Sequence, residues 1–158
     1  NVFYLPYLMG ERSPHNDPKV RAAFIGMSMD TTREEMTQAV LEGVAFGLRD
    51  SFEVARSLGI NIARTKICGG GAKSLLWKKI IANVMNIKVE VIESEEGPAL
   101  GAAMLAAVGC GEYPDVETAT KQFVKTIDTV EPEKELVEKY EERYQKFKNI
   151  YPAVKNLF

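Results

Sequence analysis

Three consecutive glycines, Gly69-Gly70-Gly71, followed by Ala72-Lys73-Ser74, stand between a short β-branched run and a segment of helical composition. A bare backbone at such a turn lets a planar base or a phosphate approach closely, and the first N–H groups of the next helix have no intrahelical partner. The chemistry on offer is nucleotide binding, although a tight strand-to-helix turn without a ligand uses the same residues. A Walker loop needs Gly-Lys-Ser or Gly-Lys-Thr at its end; here Lys73-Ser74 follows Ala72, and that pattern fails. A dinucleotide fingerprint would use Gly69, Gly71, a third glycine where Ser74 stands, and Glu93 about 20 residues on to hold a ribose. The acid is well placed and the third glycine is missing, which keeps half of a nicotinamide-dependent oxidoreductase as a rival. Lys73 could reach a phosphate or simply extend into solvent.

The single histidine, His15, and the two cysteines, Cys68 and Cys110, exclude a multi-histidine metal site and a disulfide framework. A reducing, cytoplasmic setting fits this usage. Cys68 reads as a small buried thiol rather than a nucleophile, because no histidine is near it in sequence.

The elements that must hold the loop have a regular rhythm. Residues 65–68 form a strand running into the glycines, 74–85 have helical composition, and 88–92 are the clearest β-branched run. Gly97-Pro98 opens a helix over 99–108 that Gly109-Cys110-Gly111 closes. Strands alternating with helices of this length imply an α/β fold with parallel pairing and right-handed crossovers. Upstream, residues 21–27 read as a strand, and 1–19, with Pro6, Gly10, Pro14, Asn16-Asp17 and Pro18, as an ordered loop.

From Asp30 the period changes. Thr31 with Glu34 and Thr32 with Glu35 both fit a capping box, and Met36, Val40, Val44, Leu48 and Phe52 recur at every fourth position. This predicts a long amphipathic helix ending near Gly59. Its polar stripe of Glu35, Gln38, Glu42, Arg49, Glu53 and Arg56 looks like a solvated face. After Pro114 come a short helix over 116–123 and a charged segment over 132–151, with Leu136, Tyr140, Tyr144 and Phe147 on one face. Residues 115–158 are therefore expected to be peripheral helices of a single domain spanning 1–158.

With 20 basic and 22 acidic residues the net charge is −2, and the pI is about 5.6. No field gathers a nucleic acid or an anionic membrane, and no run reaches the roughly 18 apolar residues of a membrane span. The chain begins at Asn1 and enters at once an apolar stretch, which reads as a piece of a longer protein.

The run Ile67-Cys68-Gly69-Gly70-Gly71-Ala72-Lys73-Ser74 with Trp77, and then Glu95-Glu96-Gly97-Pro98-Ala99-Leu100-Gly101-Ala102-Ala103, resembles the adenosine and second connecting motifs of the FGGY carbohydrate kinases. Ala22-Ala23-Phe24-Ile25-Gly26-Met27 and, seven residues on, Glu35-Met36-Thr37-Gln38-Ala39-Val40-Leu41-Glu42 resemble that family's C-terminal signature. The stretch from Leu5 through Gly10-Glu11-Arg12-Ser13-Pro14-His15-Asn16-Asp17-Pro18 is similar to the loop of the family's xylulokinase branch; gluconokinases carry a similar loop without the His-Asn pair.

The resemblance implies the C-terminal ribonuclease H-like domain of the actin/hexokinase ATPase superfamily, incomplete at its N-terminal side, with two strands of the family topology missing between the first strand and the parallel pair. It implies a kinase using ATP with Mg²⁺, with D-xylulose as first substrate and gluconate as an alternative. The catalytic aspartate and most sugar contacts would lie in an N-terminal half, so this piece alone is expected to be inactive. Nucleotide contacts carried over from the family are Gly70, Gly71, Ala72 and Ser74, with Lys73 and Glu42 as further candidates, while Gly69 shapes the turn. Gly97, Ala99 and Gly101 keep the connecting helix free of bulk near the interdomain hinge; an Ala-rich core helix is the plainer reading. His15 is expected to order its loop. Exposed apolar surface and sheet edge predict a homodimer. A non-catalytic nucleotide-binding module stays open beside the kinase.

Overall fold

The computed structural model describes residues 2–158. Strand β1 (Phe3–Leu5) pairs antiparallel with β2 (Ala23–Ile25), Phe3 facing Ile25. The segment read as a loop thus contributes a strand, and the strand expected over 21–27 shortens to three residues.

Helix α1 (Arg33–Ser57) starts where its capping box places it. Thr32 Oγ1 accepts from the Glu35 amide at 3.2 Å, and the Thr32 amide donates to Glu35 Oε2 at 2.9 Å. At the other end Gly59 takes φ +83, and the Ile60 amide returns to the Ala55 carbonyl at 3.1 Å.

Strand β3 (Arg64–Ile67) runs parallel to β4 (Lys88–Ile92), as the alternation of elements implies. Between them lie a 3₁₀ turn over Gly70–Lys73 and α2 (Leu75–Met85), which Asn86 ends in the left-handed region at φ 51. After α3 (Gly97–Gly109) and α4 (Val116–Phe123), strand β5 (Thr126–Val130) pairs antiparallel with β4. The region after Pro114 is therefore not helical throughout. Its strand completes the sheet order β3-β4-β5, with β3 at an edge. Helices α5 (Lys134–Phe147) and α6 (Ile150–Val154) follow.

Two apolar clusters hold these layers together. One joins Leu5 and Tyr7 to Phe46 of α1, Ile80 and Val84 of α2, and Tyr144 and Phe147 of α5. The other packs Ile81 and Met85 of α2 on Ile87, Val89 and Val130 of the sheet. Helix α2 is apolar on both flanks because it is the layer between α1 and the sheet.

Candidate nucleotide site

The glycine loop is shaped by local backbone chemistry. Gly69 sits at φ +78, ψ −172, a region that residues with a Cβ essentially never occupy, so it makes the turn as expected. The Ala72 amide then donates to the Gly69 carbonyl and the Ser74 amide to the Gly71 carbonyl, each at 3.1 Å. Ser74 leaves the turn extended and caps α2, its Oγ accepting from the Trp77 amide at 3.2 Å. A capping hydroxyl that accepts keeps its own proton to donate outward.

The two middle glycines differ. A Cβ at Gly70 would have no heavy atom within 4 Å, so its backbone is open to an incoming group. A Cβ at Gly71 would lie 3.1 Å from both Cδ1 and Nε1 of Trp77. Ala72 is buried, so that methyl faces the core and only its backbone is offered to a ligand. Lys73 Nζ stands 2.9 Å from Glu95 Oε2, both side chains largely exposed.

The loop borders a cleft of about 270 Å³, which Glu93, Ser94 and Glu95 line from the end of β4 and Asp128 from β5. Crevices at the carboxyl ends of parallel strands are where open α/β sheets bind ligands. Lys78 Nζ donates to Asp128 Oδ2 at 2.9 Å, and that bond holds the Asp128 carboxyl below the usual range.

Gly97 has a structural reason to be glycine, since a Cβ there would come within 2.5 Å of Cys68 Sγ. Cys68 is exposed rather than buried, because it lies just past β3 at the sheet edge. Helix α3 is not a core helix: none of its residues is buried, Ala99 is exposed, and Gly101 has open space beside it. It packs principally on α4, leaving an apolar surface uncovered.

The polar stripe of α1 is solvated at Glu35 and Gln38 but not in its middle. Glu42 is only 3% exposed and Arg49 9%. Glu42 Oε2 accepts from Arg143 Nη2 at 2.6 Å and Nε at 3.0 Å, while Oε1 accepts from Gln38 at 2.7 Å and from Tyr140 at 3.3 Å. Burial, reinforced by that carboxylate, pushes the Tyr140 hydroxyl up to about 12. Arg49 donates to the Val84 carbonyl at 2.9 Å, pairs with Glu141, and lies 4.0 Å over the Tyr144 ring. The structure therefore gathers Gly69, Ala72 and Lys73 with Glu93–Glu95 at one cleft, whereas Glu42 lines a different one with Val2 and Arg143.

His15 orders its loop, as expected. Its ring stacks on Tyr151 at 3.9 Å, and Nε2 is 3.1 Å from the Tyr7 hydroxyl. Nearby Asp50 accepts from the Tyr144 hydroxyl at 2.6 Å, and burial raises the carboxyl above its ordinary value. Sequence reasoning missed the brace that Trp77 provides behind the loop. A signal was present: helical side chains lean toward the N-terminus, so a large ring in the first turn of α2 falls back onto the residues before it.

Comparison with known proteins accords with this geometry. Residues 1–110 match the C-terminal domain of the FGGY family of carbohydrate kinases. A xylulose kinase of Staphylococcus epidermidis is 37% identical over 156 residues, which are 99% of this chain and 32% of that protein. The crystal structure of a protein described as a xyloylose kinase from Brucella ovis superposes with a TM-score of 0.88 at 40% identity, over 99% of this chain and 32% of that one. The gluconate kinase of Lactobacillus acidophilus gives 0.87 at 26% identity, over 97% of this chain and 31% of its own. The chain thus spans about a third of the length of the proteins it matches, with the actin/hexokinase ATPase fold of its structural neighbours. The open glycine loop, its place at the strand ends and these matches together show that the chain belongs to the FGGY family of carbohydrate kinases, in whose C-terminal domain it lies.

Proposed function

We propose that this chain forms the nucleotide-binding part of an ATP-dependent sugar kinase that converts D-xylulose and ATP to D-xylulose 5-phosphate and ADP. The observation that carries this reading is the unobstructed backbone of Gly70, one turn before the N-terminus of α2, in a loop whose Gly69, Ala72 and Lys73 line the cleft at the strand ends. Small residues there admit a base, and the helix N-terminus favours an anionic group. Gly70, Gly71 and Ala72 contribute backbone, and Ser74 contributes its hydroxyl proton. Lys73 is held by an exposed ion pair that costs little to exchange for a phosphate. Glu42 supports the site indirectly, by tying α1 to α5.

Phosphoryl transfer is chiefly positioning and charge stabilisation, so one part of a kinase can hold the nucleoside end while another supplies base and sugar. On this reading the isolated chain transfers no phosphate. Among the described residues no group of three or more His, Cys, Asp or Glu gathers to hold a metal. On this reading Mg²⁺ would accompany the nucleotide's phosphates and neutralise their charge. Gluconate is the second substrate reading, supported by the likeness to the gluconate kinase.

Among the described residues no helix is long and apolar enough to cross a membrane, and the cysteine usage supports a cytoplasmic location. The bare face of α3 and the edge of β3 support a homodimer, which sedimentation of the chain at high concentration tests.

The function is tested by a coupled assay on the intact polypeptide, scoring ADP release with D-xylulose, gluconate and no sugar, alongside competition between ADP and NAD. Turnover that requires D-xylulose is expected. Turnover with gluconate alone would replace the substrate, and preference for NAD over ADP would overturn the nucleotide reading.

A further inference from the structure

We infer that Trp77 is a positioning residue for the nucleotide loop, fixing the path of Gly70 and Gly71 from behind; this rests on the nucleotide reading above. Trp77 meets the loop at two points. Its indole edge lies against Gly71, where a Cβ would come 3.1 Å from Cδ1 and from Nε1, closer than ordinary van der Waals contact. Its backbone amide donates to Ser74 Oγ at 3.2 Å.

The indole is itself anchored, packing against both apolar clusters and so joining the α1 side of α2 to the sheet side. The loop around these two contacts is otherwise held by the two 3.1 Å backbone bonds of its 3₁₀ turn and by the buried methyl of Ala72. What it leans on therefore decides where the Gly70 backbone points. Its other flank is the contact of Cys68 with Gly97 and an exposed Lys73–Glu95 pair, the second of which adds little rigidity.

This assigns a different cause to each glycine. Gly70 is small for the ligand, and Gly71 is small for Trp77. Sites that bind through backbone need that backbone held to a fraction of an ångström by packed neighbours, and the anchored indole meets this need.

The test is a double-mutant cycle on the intact polypeptide, with Gly71→Ala crossed against Trp77→Leu. Leucine keeps helix propensity and apolar character while removing the indole edge, and Trp77→Met serves as a second relief variant should leucine unfold the chain. Gly71→Ala is expected to raise the KM for ATP and the Kd for Mg-ADP about tenfold with kcat within about twofold. In the Trp77→Leu background the same substitution is expected to cost about twofold or less, because the added methyl then has room. Gly70→Val serves as the control and weakens binding equally in both backgrounds.

A readout without nucleotide accompanies the cycle. Trp77 is the only tryptophan of this chain, so the indole N–H nuclear magnetic resonance signal that disappears in Trp77→Leu is its own; Gly71→Ala shifts that signal and Gly70→Val leaves it in place. Equal damage from Gly71→Ala in both backgrounds would overturn the assignment, since the space would then belong to the ligand. An intact wild-type protein with no affinity for Mg-ADP would overturn the nucleotide reading itself, which separates the two failures.

Discussion

Replacing Arg143 by methionine isolates the tie between α1 and α5. The substitution keeps the aliphatic stem and removes the guanidinium that gives Glu42 Oε2 its two bonds, at 2.6 and 3.0 Å. Arg143 also donates to the Val2 carbonyl at 3.1 Å and lies 4.7 Å over the Phe3 ring, so the entry of the chain loses its hold as well. Glu42 is 3% exposed and would keep only Gln38 and Tyr140. Removing one partner of a fully buried pair costs about 3–5 kcal/mol. Arg143 is 29% exposed, so water partly replaces it, and we expect about 2–3 kcal/mol. Glu42→Gln leaves the Arg143 guanidinium without its counter-charge, but that group is partly solvated and keeps an amide oxygen as acceptor, so the cost is expected to be about 1–2 kcal/mol. The double variant should fall short of the sum by at least about 1 kcal/mol, because the two residues share one interaction. Urea denaturation of the intact polypeptide followed by circular dichroism measures all three. A cost below about 0.5 kcal/mol for Arg143→Met, or strict additivity, would refute the reasoning. Neither variant should change the KM for ATP more than about twofold below its melting temperature; a large rise for Glu42→Gln would return that acid to the nucleotide.

Further outcomes follow from the same geometry. Asp50 has its native pKa raised by burial above the unfolded value of about 3.9, so its ionised form is disfavoured in the native state and its contribution grows as the pH falls. That contribution is complete below the unfolded value and lost as pH rises through the native one. Asp50→Asn should therefore remove this pH dependence in acid denaturation curves, with stability at pH 7 unchanged or increased; a wild-type slope in the variant would contradict it. Gly69→Ala should destabilise the chain by about 1–3 kcal/mol in urea titration, because no other residue type is at ease at φ +78, ψ −172. Lys73→Ala should leave the melting temperature within about 1 °C, since its ion pair with Glu95 is exposed, while weakening Mg-ADP if the lysine turns to a phosphate.

Local signals carried much of the fold. The capping box at Thr32 and Glu35, the glycines that close α1 and open the loop at residue 69, and the β-branched run of β4 are each decided by neighbours in sequence, and each stands where expected. Strand β5 went unseen because four of its five residues are exposed and only its pairing with β4 makes it a strand. The polar stripe on α1 misled for a related reason. Charged residues look solvated until another helix brings matching charges, and α5 brings Glu141 and Arg143 from 92 and 101 positions away. At the site, the residue types of the loop were legible, whereas the difference between Gly70 and Gly71 depends on where the indole of Trp77 comes to rest.

The most direct test of the nucleotide site is calorimetric titration of the intact polypeptide with Mg-ADP, wild type against Gly70→Val. A Cβ at this position meets no heavy atom within 4 Å beyond its chain neighbours, so the fold is expected to tolerate valine while the approach to the loop is blocked. The account predicts saturable binding by the wild type and a loss of at least about tenfold in the variant, with melting temperatures equal within error. Equal affinity in the two proteins would place the nucleotide away from the glycine loop and contradict it.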